Sequence, residues 1–353
     1  MSNTRVIVTG GAGYIGSHTL IELLIAGYEV CVVDNFVNSS PESLKRVARL
    51  SSQHFRVERA DIRDACAVTA IFRAFQPDAV IHFAGLKAVG EGETLPLEYY
   101  DVNVGGTLNL LRAMTGMRPP AIIFSSSATV YGDPDYLPID EQHPTRPASV
   151  YGRTKLIAED VLRDWARATP GARAVMLRYF NPVGAHDSGD IGEDPQGPPN
   201  NLMPFIAQVA VGLRDRLAIF GGDYDTRDGT GLRDYIHVVD LARAHVAALN
   251  YASTCAPGSD VFNIGTGYGA TVREILQAYE RACCKTLPYH IVPRRPGDVA
   301  ASVADPTRAI TALNWRAELG INDMCQSSWK WQSRNPRGFQ FGVDVTLEAE
   351  AGS

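Results

Sequence analysis

The stretch of this chain that most limits its fold is TGGAGYIG (9–16), which joins an apolar run to an amphipathic one. RVIVTG (5–10) reads as a buried strand and YIGSHTLIELLIAG (14–27) as a helix closed by Gly27. Gly10, Gly13 and Gly16 stand between them at G-x-x-G-x-x-G spacing. Glycines there let the backbone turn sharply and approach a pyrophosphate at the helix N-terminus, where free N–H groups and the helix dipole favour an anion. The next strand, EVCVVD (29–34), ends on Asp34. A carboxylate at that place accepts hydrogen bonds from both ribose hydroxyls and repels a 2′-phosphate. Glycines also mark ordinary tight turns. A preceding strand, a following helix and the acidic strand end together predict dinucleotide binding, with NAD favoured over NADP. Asp61, at the end of the third strand, is placed to reach the adenine; the alternative for it is a turn residue at a strand end.

The same alternation continues along the chain. Strands are expected at FRVER (55–59), DAVIHF (78–83), AIIFSS (121–126) and ARAVMLRYF (172–180), with helices between them. Strands separated by helical crossovers predict an α/β fold, a Rossmann-type doubly wound parallel sheet with helices on both faces. The pattern changes after Phe180. Residues 181–200 are rich in Gly, Pro, Asp and Asn and read as a long loop over a site. Shorter helices and strands follow, giving a smaller C-terminal α/β lobe. The expected division is a nucleotide-binding domain over 1–180 and a substrate-binding domain over 181–340, with a helix at 238–252 able to return to the first. Residues 335–353 read as a poorly ordered tail, with 341–353 assigned to neither lobe.

The 353-residue chain carries a net charge of −6. That balance argues against a general nucleic-acid or anionic-membrane surface and leaves room for a local basic pocket. No run of 18 consecutive apolar residues is present, so no membrane span is expected. The opening MSNTRVIVTG lacks the layout of a signal peptide and leads directly into the first strand. Cys31, Cys66, Cys255, Cys283, Cys284 and Cys325 contain no C-x-x-C pair, and no His/Cys cluster has zinc spacing. A reducing, cytoplasmic location without a metal site is the simplest reading.

SVYGRTK (149–155) puts Tyr151 and Lys155 on one helix face at i, i+4 spacing, just after a proline-rich loop. FSSSATVYG (124–132) ends the fifth strand, so Ser127 and its neighbours should line the crevice into which such strand ends open. A free phenol titrates near 10, too high for a base at neutral pH. Bringing it to about 7 takes about three units, roughly 4 kcal/mol. An ammonium within ~4–6 Å supplies about one to three of them, and the positive nicotinamide ring of NAD supplies the remainder. Tyr151 is therefore read as an acid–base catalyst tuned by Lys155. For an isolated Y-x-x-x-K pair, a packed tyrosine and a solvated lysine would be preferred. The dinucleotide turn and the serine-rich strand end reverse that preference.

With these residues in place, the blocks TGGAGYIG, HFAGLKAVGE, SSSATVYG, YGRTK, RYFNPVGAH, GEDPQGPPNNLMPFIAQVAVG, LAIFG, DGTGLRDYIHVVDL and RRPGD resemble the UDP-glucose 4-epimerases of the extended short-chain dehydrogenase/reductase superfamily. The resemblance spans about residues 5 to 340. It implies inversion at carbon 4 of a UDP-hexose, UDP-galactose to UDP-glucose. Tyr151 would take the 4-hydroxyl proton, oxidation with a permanently held NAD would give a planar 4-keto sugar, and re-reduction would follow on the other face. Ser127 would hydrogen-bond the 4-oxygen and relay the proton, and Lys155 would also hold the nicotinamide ribose. The implied cofactor contacts add Tyr14, Ile15, Asn35, Asn38, Ser39, Ile62, Phe83, Ala84, Gly85, Lys87, Asn103, Ser125 and Phe180. For Asn103 a purely structural role is an equal alternative. The implied UDP-sugar contacts are Lys87, Ser127, Ala128, Thr129, Tyr179, Asn181, Asn201 and Leu202, with Ala218 and Phe220 flanking the uracil. Arg233 and Arg295 would bind the diphosphate through charge-assisted bonds, and Asp298 the ribose. By composition alone either arginine would be a surface charge. Relatives also imply a homodimer, for which the amphipathic run 94–115 is the candidate face.

One position departs from many bacterial relatives. In DVAASVAD (298–305), Ser302 stands where they carry tyrosine, beside the substituent at carbon 2 of the hexose. A phenol ring leaves room there for a hydroxyl and crowds an N-acetyl group. Serine removes the ring, which implies that UDP-N-acetylglucosamine and UDP-N-acetylgalactosamine are interconverted too, unless a backbone shift or another side chain refills the gap. Two other readings stay open. A nucleotide-sugar 4,6-dehydratase uses the same fold, but relatives of that type place Asp–Glu where this chain has Ala128 and Thr129. A non-catalytic NAD-sensing regulator would be free to lose Tyr151 or Lys155, and both are present with Ser127.

Overall fold

The computed structural model describes residues 4–116, 120–197, 199, 201–295 and 297–340. Strand and helix alternate through the first half. They are β1 (Arg5–Thr9), α1 (Tyr14–Ile25), β2 (Glu29–Asp34), α2 (Pro41–Ser51), β3 (Arg56–Arg59), α3 (Ala65–Phe75), β4 (Ala79–His82), the short α4 (Val89–Thr94) and α5 (Pro96–Tyr100), α6 (Gly106–Ala113), β5 (Ala121–Ser127), α7 (Val150–Ala168) and β6 (Arg173–Tyr179). The second half continues with β7 (Asn181–Val183), α8 (Leu202–Ala210), β8 (Leu217–Phe220), β9 (Leu232–His237), α9 (Val238–Thr254), β10 (Gly258–Ile264) and β11 (Gly269–Thr271). It ends with α10 (Val272–Cys283), β12 (Tyr289–Val292), β13 (Ala301–Ser302), α11 (Thr307–Ala312) and α12 (Ile321–Arg334).

Seven strands form one sheet in the order β10-β6-β5-β4-β1-β2-β3, every pair parallel. The central strands are near-continuous Val/Ile runs. Val6, Ile7, Val8, Val80 and Ile81 have no exposed surface, as expected when helices cover both faces of a parallel sheet. The strand order reverses between β1 and β4, and in such sheets the ligand crevice opens at that point, beyond the carboxyl ends of the strands. Ser149 caps α7, its hydroxyl accepting from Gly152 N at 3.0 Å. The cap starts the helix so that Tyr151 lies in its first turn, at the crevice.

After β7 the chain builds the smaller lobe, with a four-stranded sheet of β7, β9, β11 and β13 and a separate β8–β12 pair. Helices α8, α10 and α12 close its apolar core around Ile206, Ile275, Tyr279 and Cys325. The two lobes are interleaved in sequence. Helix α9 packs on α1 and on the far face of β5 and β6, and β10 extends the large sheet beside β6. Ala242, Ala244 and Ala248 are fully buried along α9, and their small side chains let the two helices approach closely.

The expected tail is wrong from 335 to 340. Asn335 is buried and donates to Gly189 O and Trp331 O, both at 3.0 Å. Phe339 is also buried, and its N–H donates to Asp194 at 3.0 Å. Two polar anchors and one aromatic ring order the segment, and none of the three has a local sequence signature. Residues 341–353, the remainder of that expected tail, lie outside the described residues. Among the described residues, no helix is long and apolar enough to cross a membrane, and no His/Cys/Asp/Glu group is arranged to hold a metal ion.

Candidate active site

The glycine turn is shaped by contact as well as by conformation. Gly10 has φ +69°, and a β-carbon on it would lie 2.6 Å from Ala84 N. A β-carbon on Gly16 would lie 2.4 Å from the Gly10 carbonyl oxygen. Helix α1 therefore starts hard against the turn. Gly13 at its N-cap offers no capping side chain, which leaves the first-turn N–H groups for a ligand.

A groove runs from this turn along the carboxyl edge of the sheet. It gathers the predicted Gly10, Gly13, Tyr14, Ile15, Gly16, Asp34, Asn35, Asn38, Ser39, Asp61, Ile62, Phe83, Ala84, Gly85, Lys87, Ser125, Tyr151 and Lys155, together with Tyr179 and Asn201. Asp34 sits at its floor. One carboxylate oxygen accepts from Ala12 N at 2.9 Å, and the other from Phe36 N and Ser39 Oγ at 2.9 Å. A carboxylate has about four acceptor positions, so Asp34 braces the turn and retains capacity for a ligand. Asp61 is held by Arg63 through a two-point pair and by Asn35 at 3.0 Å. The Arg63 bond, helped by Asn35, outweighs partial burial and brings its pKa down to about 2. The Tyr179 hydroxyl is buried at the groove wall with no hydrogen-bond partner among the described residues.

Also lining the groove is Glu193, which no expectation included. Its Oε1 accepts from Lys87 Nζ at 3.2 Å and from Asn201 Nδ2 at 3.1 Å. It thus joins the loop after β4 to the start of α8 across the groove mouth. Its acidic character within the Gly/Pro-rich stretch at 181–200 was the available signal.

At the far end of the groove, α7 meets the end of β5. Lys155 is buried and donates to Ser125 O at 2.7 Å. Its ammonium lies 5.9 Å from the centre of the Tyr151 ring and 4.8 Å from that of Phe124. Burial pushes Lys155 down to about 8, with Glu159 working against the shift. Burial also pushes the Tyr151 phenol up to about 12, with the Ser127 hydroxyl working against it. The chain alone therefore holds a neutral phenol beside a marginal ammonium, and the tuning expected from Lys155 does not by itself make Tyr151 a base. Ser127 Oγ accepts from Thr129 N and Thr129 Oγ1 at 3.2 and 3.0 Å. Its own hydroxyl is turned to the Tyr151 phenol.

The remaining predicted residues lie outside this groove. Asn103 spends its amide on the protein, bonding Leu86 N, Leu86 O and Thr154 Oγ1 at 2.8–3.0 Å. It braces the loop carrying Gly85 and Lys87 against α7, which is the structural alternative raised for it. Phe180 packs with Val130, Tyr131 and Ile139. Ala128 and Thr129 form the turn after β5. Asn181 begins β7, and Leu202 begins α8 beside Asn201. In the smaller lobe, Ala218 and Phe220 lie on β8, and the Arg295 guanidinium stacks 4.6 Å over the Phe220 ring while pairing with Asp298 at 3.0 Å. Arg233 donates to Leu232 O at 2.9 Å and approaches Ala300 O at 3.5 Å. Ser302 is its parallel register partner on β13 and is half-buried.

Known proteins share this architecture. The sequence profile of the family described as GDP-mannose 4,6 dehydratase matches residues 7–328. The UDP-glucose 4-epimerase of Bos taurus is 53% identical over 342 residues, covering 95% of this chain and 98% of its own. The crystal structure of UDP-glucose 4-epimerase from Bifidobacterium longum, in complex with NAD+ and UDP, is 52% identical with a TM-score of 0.91 and covers 95% of this chain and 100% of that one. The enzyme from Stenotrophomonas maltophila, with bound NAD and formylated UDP-arabinopyranose, is 47% identical with a TM-score of 0.92 over 95% and 99% of the two chains. Identity above one half, across nearly the whole length of both proteins, places this chain in the family of the UDP-glucose 4-epimerases.

Proposed function

We propose that the protein inverts carbon 4 of UDP-hexoses, interconverting UDP-galactose and UDP-glucose, with NAD resident in the groove. The observation that carries this reading is the meeting of Tyr151 and Lys155 at one end of a glycine-floored groove, with the Ser127 hydroxyl bonded to the Tyr151 phenol. The chain's residues suit NAD: Gly10 and Gly16 leave no room for a β-carbon, α1 begins uncapped, Asp34 ends β2, and the Tyr179 hydroxyl lacks a partner. NAD supplies, when bound, the reversible hydride acceptance that no side chain offers. Similarity to epimerases crystallised with NAD and with UDP supports the pairing.

Tyr151 Oη takes the proton of the 4-hydroxyl as the sugar becomes a planar 4-keto compound, and returns it when the opposite face is reduced. A phenol pushed up to about 12 by burial needs positive charge nearby before it can act. Lys155, fixed on Ser125 O, is the chain's own source of that charge. Ser127, whose hydroxyl bonds the Tyr151 phenol, turns its proton toward the 4-oxygen and relays it. The sugar must turn over between half-reactions, so the UDP portion has to hold the ligand. Arg233 and Arg295 take the diphosphate by exchanging a backbone carbonyl and Asp298 for phosphate oxygens, with Phe220, Ala218 and Asp298 around the nucleoside. Lys87, Tyr179, Asn181, Asn201 and Leu202 complete the enclosure. The dehydratase alternative is not favoured, because Ala128 and Thr129 supply neither the acid nor the base that elimination requires.

Ser302 supports a second substrate. It is a small, half-buried side chain beside Arg233, and it leaves room for an N-acetyl group at carbon 2. UDP-N-acetylglucosamine and UDP-N-acetylgalactosamine are interconverted on this reading. The protein works in the cytoplasm as a homodimer. Six free cysteines suit a reducing compartment, and the exposed Leu95 and Leu97 on the 94–115 run provide an apolar face. Sedimentation at micromolar concentration tests the dimer; a monomer would reject it.

The central test is turnover of UDP-galactose with a coupled UDP-glucose readout, on the parental protein and on Tyr151→Phe. The expected outcome is parental turnover and a loss of about 10²–10⁴-fold in the variant, with bound NAD unchanged. Equal rates would reject the assignment.

A further inference from the structure

We propose that Glu159, which lies outside the groove, is a positioning residue for the reaction: its carboxylate locks α7 to the strand end that presents Ser125 and Ser127, and screens Lys155 from the arginines behind it. The proposal rests on the acid–base reading of Tyr151 and Lys155. Glu159 follows Lys155 by one helical turn on α7 and has no exposed surface. Residues four apart share a helix face, so the same face that brings Lys155 to the crevice brings Glu159 onto the sheet below it.

The carboxylate is fully engaged there. It accepts from Ser126 Oγ at 2.5 Å, from Arg178 Nε and Nη2 at 2.8 and 2.5 Å, and from Arg163 Nη2 at 2.6 Å. Ser126 and Arg178 are register partners on β5 and β6, so one carboxylate clamps two neighbouring strands at a single level. Side chains alternate along a strand. Anchoring Ser126 on one face therefore fixes Ser125, whose carbonyl holds Lys155, and Ser127 on the other. Arg178 carries the connection further, donating to the Tyr131 hydroxyl at 3.0 Å, which donates to Asn263 on β10 at 2.7 Å.

The charge arrangement follows from the same contacts. The titratable groups facing Lys155 are Tyr151 and Glu159 on its own helix and His82 on β4. Arg178 on β6 and Arg163 on α7 stand behind Glu159. Burial, with Lys155 adding to it, pushes His82 down to about 3, so the imidazole is neutral. Burial pushes the Glu159 carboxyl up, but the bonds and charge of Arg178, with Ser126 and Arg163, bring it below the usual carboxylate range. Among the described residues, Glu159 is thus the anion that favours the Lys155 ammonium against burial. Without it, Lys155 would lose that anion, and Arg178 and Arg163 the carboxylate they share.

The test uses the NAD-loaded protein and two variants. Glu159→Gln keeps the shape and one acceptor but leaves Arg178 and Arg163 unmasked. Lys155 then loses its proton at lower pH, and the basic limb of the kcat–pH profile for UDP-galactose moves down by about one unit. Arg163→Gln, at a partly exposed position, removes positive charge and moves the same limb up, by less. Loss of packing lowers kcat in either variant and cannot shift the limb in opposite directions. The tyrosinate absorbance of Tyr151, taken as a difference against Tyr151→Phe, follows the same order without requiring turnover. An unmoved limb, or shifts of one sign, overturns the proposal. If Glu159→Gln does not fold, an upward shift in Arg163→Gln supports the proposal and an unmoved limb rejects it. Full turnover by Tyr151→Phe would overturn the acid–base reading underneath, and this proposal with it.

Discussion

Arg46 on α2 and Asn335 at the end of α12 share a buried 2.7 Å hydrogen bond across 289 residues of sequence. The same Arg46 nitrogen donates to Asp190 O at 2.9 Å, and the guanidinium lies 5.1 Å from the Phe339 ring centre and 5.8 Å from that of Trp331. One side chain from the cofactor-binding half therefore ties down both the loop after β7 and the C-terminal segment. Glu193, Gln196 and Phe339 from those segments line the groove. Arg46→Ala is expected to remove these two bonds, the Glu42 pair at 3.0 Å and the stacking, a loss of about 3 kcal/mol. NAD would then dissociate at least tenfold faster. Nucleotide retained after repeated gel filtration measures this, and retention equal to the parent would show that the strap does not hold the cofactor.

The contact between Gly16 and the Gly10 carbonyl leads to a second expectation. A β-carbon 2.4 Å from a backbone oxygen cannot be accommodated by a rotamer change, so Gly16→Ala must push α1 away from the turn. Most of the α1 surface against the sheet and α9 remains, and the fold should survive. Purified Gly16→Ala is expected to carry less than a tenth of the parental NAD. Quantifying nucleotide released on denaturation checks it, and full occupancy would exclude the close-approach role of this glycine.

Stability should fall in mild acid. Burial pushes His18 and His82 down to about 3, and His237 and His245 to about 4. The Nε2 atoms of His18 and His245 have no partner in the described structure, so these rings offer little to a proton. Folded pKa values below the ordinary histidine value of about 6.5 mean that the unfolded chain binds more protons between these limits. The stabilisation is complete above 6.5 and is lost as pH falls toward 4. Each such histidine contributes a slope of about 1.4 kcal/mol per pH unit. The expected outcome is a melting temperature that is flat from pH 8 to 7 and drops steeply below 6. A curve unchanged down to pH 4.5 would contradict the buried, neutral histidines.

The division between what was legible in the sequence and what was not follows the range of the interactions. The glycine turn, Asp34, and the Tyr151–Lys155 pair are local patterns whose geometry is fixed by one strand–turn–helix unit or one helix turn. The lobe interleaving was readable only as an option. The Ala-rich α9 suits either lobe until its packing on α1 is seen. Glu193, Arg46 and the segment 335–340 act through partners more than a hundred residues away, and an arginine or asparagine in a polar stretch carries no mark of such a partner. The protonation states were hidden for a related reason. An ammonium four residues from a phenol suggests a lowered pKa, whereas burial of both groups dominates in the fold and leaves the phenol neutral.

Ser302 offers the sharpest test of substrate range. It lies on β13 in register with Arg233 on β9, and the short strand is held by Leu232 N donating to Ala300 O at 2.9 Å. The backbone at this point is therefore tied to β9, the strand that carries Arg233, and cannot drift far when the side chain changes. Ser302→Tyr adds a ring on the side where a carbon 2 substituent would lie. It is expected to lower kcat/KM for UDP-N-acetylgalactosamine by at least a hundredfold, the scale of a steric clash of about 3 kcal/mol. Turnover of UDP-galactose should stay within a few-fold of the parent, because a hydroxyl needs no such space. Both epimerisations measured on the same parental and variant preparations decide the matter. If the parent ignores the N-acetylated pair, or if the variant loses both activities together, Ser302 does not set the substrate range.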